Sequence, residues 1–139
     1  MTAPAPPSTS VTVTETILVV EDDVLIRMVI AQYLRDCGYR VLEAANADEA
    51  ILVLGQPDLK IDIAFTDVDM PGSMDGFGLA RWIRQHRNGV EVVLAGSVPR
   101  AAQAAGELCE AGPLLAKPYE PQQLIDHIRR LLAGRAGAK

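Results

Sequence analysis

From Glu15 onward, short apolar runs alternate with segments whose apolar residues recur at helical spacing, and this alternation most limits the folds open to the chain. The runs are 17–20 (ILVV), 40–43 (RVLE), 62–65 (DIAF), 90–94 (VEVVL) and 114–116 (LLA). Between the first two, Ile26, Ile30, Tyr33, Leu34 and Cys37 follow the spacing of one helical face, and Gly38 stops the helix. Asn46 followed by Glu49 is a capping-box-like pair opening a second helix with Ala47, Ala50, Ile51 and Leu54 inward; Gly55 and Pro57 end it. Further helices are expected over about 76–87, over about 100–111, where small residues dominate, and from Pro121 onward. Five strands and five helices predict an α/β fold, a doubly wound five-stranded parallel sheet of (βα)5 flavodoxin-like type with strand order 2-1-3-4-5.

Residues 1–14 contain no charge and are rich in Pro, Ser, Thr and Ala, which predicts a flexible tail; the domain is expected over 15–133, with a short C-terminal tail at 134–139. The length, 139 residues, suits one such domain. A net charge of −5 argues against general binding to nucleic acid or anionic membrane, because no basic excess is available to neutralise phosphates. No apolar run approaches the roughly 18 residues of a membrane span, so a cytoplasmic location is the expectation. Cys37 and Cys109 are too few and too far apart for a disulfide framework or zinc site and are expected as buried thiols. His86 and His127 are expected as solvated side chains.

In sheets of this kind the ligand crevice lies beyond the carboxyl ends of the strands. There the first strand is followed by Glu21, Asp22 and Asp23, the third by Asp67 and Asp69, and the fifth by Lys117 and Pro118. Gathered carboxylates repel one another and raise each other's pKa unless a cation intervenes. Mg²⁺ suits such a set of oxygens while leaving room for water and a phosphoryl group. An aspartate beside it is a nucleophile toward phosphorus, and a lysine ammonium neutralises the transferred group. Each feature alone has a plainer account: Asp-x-Asp as a loop with Asx turns, an acidic triplet as a helix start, a lysine as surface charge. Their occurrence together, at alternate strand ends of one fold, favours a site.

The segments ILVVEDD, AFTDVDMPGSMDG and LLAKPY resemble the signatures of bacterial two-component response-regulator receiver domains of the CheY-like kind, over roughly 15–133. The resemblance implies that a sensor histidine kinase or histidine phosphotransfer protein donates a phosphoryl group to Asp67 with Mg²⁺ required, in a self-catalysed phosphotransfer and dephosphorylation rather than an ordinary enzyme reaction. Asp22 resembles the direct metal ligand and Glu21 the acid acting near it or through water. Asp69 resembles the residue whose backbone carbonyl binds the ion, and Lys117 the lysine that pairs first with the acceptor and then with the phosphate, followed by a cis bond to Pro118. Asp23 has no counterpart and is expected as the N-cap of the first helix. Asp69 and Ser97 flank the site at positions that tune phosphoaspartate hydrolysis in the family.

Two positions depart from the pattern. Receivers normally carry Thr or Ser where VVLAGSV places Ala95, and many carry Tyr or Phe where GPLLAKP places Leu114. The nucleophile, metal ligands and lysine are intact, so the expected deficit lies in coupling phosphorylation to a surface change. The leading expectation is a single-domain regulator, since 134–139 leaves no room for an output domain. It would act as a monomer or weak homodimer and signal to an unidentified downstream protein by contact or onward phosphotransfer. The alternatives are a receiver-like adaptor whose binding ignores phosphorylation and, from the enzymes, a phosphatase of the haloacid-dehalogenase type. The latter carries its Asp-x-Asp on the first strand, not the third.

Overall fold

The apolar runs become β1 (Thr16–Val20), β2 (Arg40–Ala44), β3 (Ile63–Asp67), β4 (Glu91–Ser97) and β5 (Leu114–Lys117), joined with α1 (Val24–Asp36), α2 (Ala47–Leu54), α3 (Gly76–His86) and α4 (Pro121–Gly137). The computed structural model describes residues 14–97 and 114–137, so the helix expected over 100–111, Cys109 and nearly all of the N-terminal tail lie outside the described residues. All strands pair in parallel in the order β2-β1-β3-β4-β5, as the alternation predicts.

Side chains alternate across each strand, so the sheet buries two apolar layers. Ile17, Val19, Ile63, Phe65, Val93 and Ala95 meet α1 and α4 through Ile30, Leu34, Leu124 and Ile128. On the opposite face, Leu18, Val20 and Ala64 meet α2 and α3 through Ala50, Leu54, Leu79 and Ile83.

The helix starts form as their sequences dictate. Asp23 accepts hydrogen bonds from the amides of Leu25 and Ile26 at 3.0 and 3.1 Å. Asn46 accepts from Glu49 N at 2.9 Å, and Glu49 reaches back to Ala45 N at 2.7 Å. Gly38 adopts a φ of 100° just past α1, a conformation that a Cβ makes costly.

Three expectations change. The inward stripe of α1 is Ile30, Ala31 and Leu34, while Ile26 is exposed, because the first inner position is taken by Arg27, whose side chain is only 16% exposed. Cys37 is exposed and not a buried thiol, since it is the cap residue beyond the last packed turn of α1. His127 is half-buried on α4, where burial and then the Arg130 charge lower its pKa, while His86 is exposed as expected. In addition, α4 runs to Gly137, past the boundary at Ala133, because no proline follows Pro121 to break it. No helix among the described residues is long and apolar enough to cross a membrane.

Candidate functional site

The strand order reverses at β1, whose neighbours are β2 and β3, so the loops after β1 and β3 part there and leave a crevice. Val20 pairs with Thr66, which brings Glu21 level with Asp67, the last residue of β3. The carboxylate oxygens of Glu21, Asp22 and Asp67 lie within 4.8 Å of one another. Glu21 and Asp67 are buried, and Asp22 is exposed at the mouth. From the far side, Lys117 at the end of β5 donates from Nζ to Asp67 Oδ1 at 2.9 Å. The intervening strand offers Ala95, paired with Asp67 and 1% exposed, with no atom beyond Cβ to bond or to obstruct that reach. The Lys117–Pro118 peptide is cis.

Asp67 and Lys117 thus end their strands rather than follow them, because the parallel ladder continues through the Asp67 to Ala95 and Ser97 to Lys117 pairings. Asp69 is exposed, apart from the three-carboxylate cluster, yet its charge reaches Lys117. Leu114 opens β5 as expected, whereas β4 runs on to Ser97, three residues past the run at 90–94; the side chains of both lie outside those described.

The electrostatics of the cluster follow from its crowding. Burial pushes the Glu21 carboxyl up to about 7. The Asp67 charge and an Asp22 hydrogen bond push the same way, and the Asp23 amide and Lys117 restrain it. For Lys117, burial works to lower the pKa, but the hydrogen bond to Asp67 and the charges of Asp67, Glu21 and Asp69 outweigh it and raise it. Burial, then the Glu21 and Asp67 charges, also push the Tyr119 phenol up, so it stays neutral. Three carboxylates sharing one ammonium leave negative charge in excess, and their hard oxygens fit Mg²⁺.

Arg27 is a supporting residue that the apolar periodicity did not reveal. Its Nη1 donates to the Glu21 carbonyl at 2.7 Å and its Nε to Glu43 Oε1 at 3.3 Å, holding the acidic loop against β2. Its place three, four and seven positions before Ile30, Ala31 and Leu34 puts it on the packed face of α1, which only the structure identifies. Beside the site, Glu21 and Lys117 open onto a groove of about 610 Å³ walled by Leu25, Val29, Tyr119 and Pro121. Its α1 wall is apolar and solvent-facing, with Leu25 72% and Val29 64% exposed. Tyr119 is held there edge-on against Phe65, ring centroids 6.0 Å apart.

Residues 17–129 match the family described as the response regulator receiver domain. The chain belongs to this family. The receiver domain is 31% identical over 122 residues to the transcriptional regulatory protein AruR of Pseudomonas aeruginosa, a match covering 84% of this chain and 48% of that protein. The chain therefore spans about half the length of the curated relatives it matches. Among solved structures, the receiver domain of NtrX from Brucella abortus is 28% identical with a TM-score of 0.75, covering 84% of this chain and 98% of the other. A CheY-like receiver domain protein from Methanospirillum hungatei, 24% identical, shares the fold at a TM-score of 0.78 over 91% of this chain and all of its own.

Proposed function

We propose that this receiver domain takes a phosphoryl group onto Asp67 from a sensor histidine kinase or a histidine phosphotransfer protein, in the cytoplasm, and signals by protein contact or onward phosphotransfer. The observation that carries the reading is the buried Asp67 carboxylate, faced by Lys117 on one side and by Glu21 and Asp22 on the other. Asp22 and Asp67 would hold Mg²⁺, with the main-chain carbonyl of Asp69 as a further oxygen and Glu21 acting near the ion or through water. Bound there, the ion supplies positive charge against which the phosphoryl oxygens are neutralised.

The chain's own residues do the rest. A carboxylate oxygen of Asp67 attacks phosphorus as the bond from phosphorus to the donor histidine nitrogen breaks; the electron pair stays on that nitrogen of a ring protonated at its other nitrogen, giving an acyl phosphate and a neutral imidazole. Lys117 fixes the carboxylate beforehand and, with its proton held firmly, remains cationic to pair with a phosphoryl oxygen. The donor reaches Asp67 across the apolar groove, whose α1 wall continues directly into the acidic cluster. Hydrolysis of the acyl phosphate returns the carboxylate, with Asp69 and Ser97 as tuning positions.

Incubation with acetyl phosphate and Mg²⁺ tests this: one acid-stable, base-labile phosphoryl group is expected, and Asp67→Asn is expected to abolish it. Equal labelling of that variant would overturn the assignment. A second reading, an adaptor whose binding ignores phosphate, draws on Ala95, which sets a methyl group rather than a hydroxyl opposite the acceptor on β4. Equal affinity for the downstream partner with and without beryllofluoride would favour it.

A further inference from the structure

Gly76, the first residue of α3, lies buried against the strand that carries the acceptor. Its N–H donates to the Val68 carbonyl at 2.9 Å. A Cβ built on Gly76 would stand 2.7 Å from Val68 Cα and 3.0 Å from the Asp67 carbonyl carbon, and closer still to the Asp67 carbonyl oxygen. These are main-chain atoms with no rotamer to yield. They are also tethered from the other side, since Val68 N donates to the Ala95 carbonyl at 2.9 Å and Asp67 pairs with Ala95 across β4. Gly76 has no positive φ, so its glycine answers the close approach and not the backbone conformation. Helix propensity alone would favour alanine there. Gly78, two residues on, differs: the nearest atoms to a Cβ there are side-chain atoms, Met74 Cβ at 3.0 Å and Asp75 Oδ1 and Met74 Sδ at 3.6 Å.

We propose that Gly76 is a positioning residue for phosphotransfer: by seating α3 directly on the Asp67–Val68 main chain, it sets where the acceptor carboxylate stands relative to Lys117 and the acidic pair. This rests on the reading of Asp67 as acceptor. A methyl group at 76 lifts either α3 or the end of β3, and because β3 continues into the acceptor, the cost falls on the site geometry. Asp75 holds the same seating from the helix side, accepting from Gly78 N at 2.9 Å as the α3 cap.

The test compares Gly76→Ala with Gly78→Ala by acetyl phosphate labelling rate, Mg²⁺-dependent beryllofluoride affinity and thermal midpoint. Gly76→Ala is expected to slow labelling and weaken beryllofluoride by tenfold to roughly a hundredfold, the scale of a displaced reacting group, while Gly78→Ala stays within about twofold of the parent. In a Lys117→Ala background the Gly76→Ala loss is expected to shrink, because the geometry it protects is already broken; a general folding defect would add in full. Parent-like labelling by Gly76→Ala, or full additivity with Lys117→Ala, overturns the proposal. Should Gly76→Ala not fold, Asp75→Ala decides: weaker beryllofluoride binding supports the proposal, and unchanged binding overturns it. A parent protein that takes neither phosphoryl group nor beryllofluoride would instead overturn the reading of Asp67 itself.

Discussion

Lys117 Nζ stands 2.9 Å from Asp67 Oδ1, joining the ends of β5 and β3 across the strand that separates them. The pair is asymmetric: the aspartate side chain is 7% exposed and the lysine 38%. Removing the lysine therefore strips a buried carboxylate of its cation while leaving Glu21 and Asp22 beside it. Lys117→Ala is expected to slow labelling by acetyl phosphate on the order of a hundredfold, as loss of a preorganised charge stabiliser does. Because the lysine is partly hydrated, unfolding stability should fall by only about 1 kcal/mol. Initial labelling rates and urea denaturation measure the two effects.

Glu21 gives the site a pH dependence. A carboxyl raised from 4.5 to about 7 keeps its proton in the native chain where the unfolded chain has lost it. Stability from this group is therefore present below about pH 4.5 and is lost as pH rises to about 7, where native Glu21 ionises against Asp67. Mg²⁺ should restore stability on the alkaline side, and its apparent affinity should fall about tenfold per pH unit below the Glu21 pKa as one proton must be displaced. Denaturation curves with and without Mg²⁺ near pH 5 and near pH 8 check this, and Glu21→Gln is expected to flatten the metal-free difference.

Arg27→Ala removes two hydrogen bonds from a largely buried guanidinium and leaves the Glu21 carbonyl and Glu43 without them. A stability loss of about 2 kcal/mol is expected, together with weaker Mg²⁺ binding, because the loop carrying Glu21 and Asp22 loses its anchor. Arg27→Lys should recover less than half of this, since one ammonium cannot bridge both acceptors in a fixed fork. Isothermal titration with Mg²⁺ distinguishes the variants.

Ala95→Thr places a hydroxyl beside Asp67 at a position now almost fully buried among Val93, Phe65 and Ile125. The free protein should lose about 1 kcal/mol for burying the hydroxyl. The beryllofluoride-bound form should regain about as much through the new hydrogen bond. Thermal midpoints with and without beryllofluoride should thus separate more widely than in the parent.

How far the sequence revealed all this depended on which signals were local. The strand runs, the caps at Asp23 and Asn46 and the gathering of Asp22, Asp67 and Lys117 at one sheet edge were legible, because apolar period and parallel topology determine them. Arg27 was not, because apolar spacing cannot show that a charged residue will turn inward to bridge the Glu21 carbonyl, six residues before it, and Glu43, sixteen residues after it. Cys37 was misread for a related reason: it fits the helical face, but the helix ends before that face is covered. The demand on Gly76 was likewise hidden, since a close approach to Val68 appears only once α3 is seated on β3.

The central claim is that Asp67 is the phosphoryl acceptor. After reaction with acetyl phosphate and Mg²⁺, reduction with borohydride converts an aspartyl phosphate to homoserine, and peptide mass mapping then locates it. Homoserine at position 67, dependent on Mg²⁺, is the predicted result. Unmodified Asp67 in a phosphorylated chain, or homoserine at any other aspartate, would contradict the account.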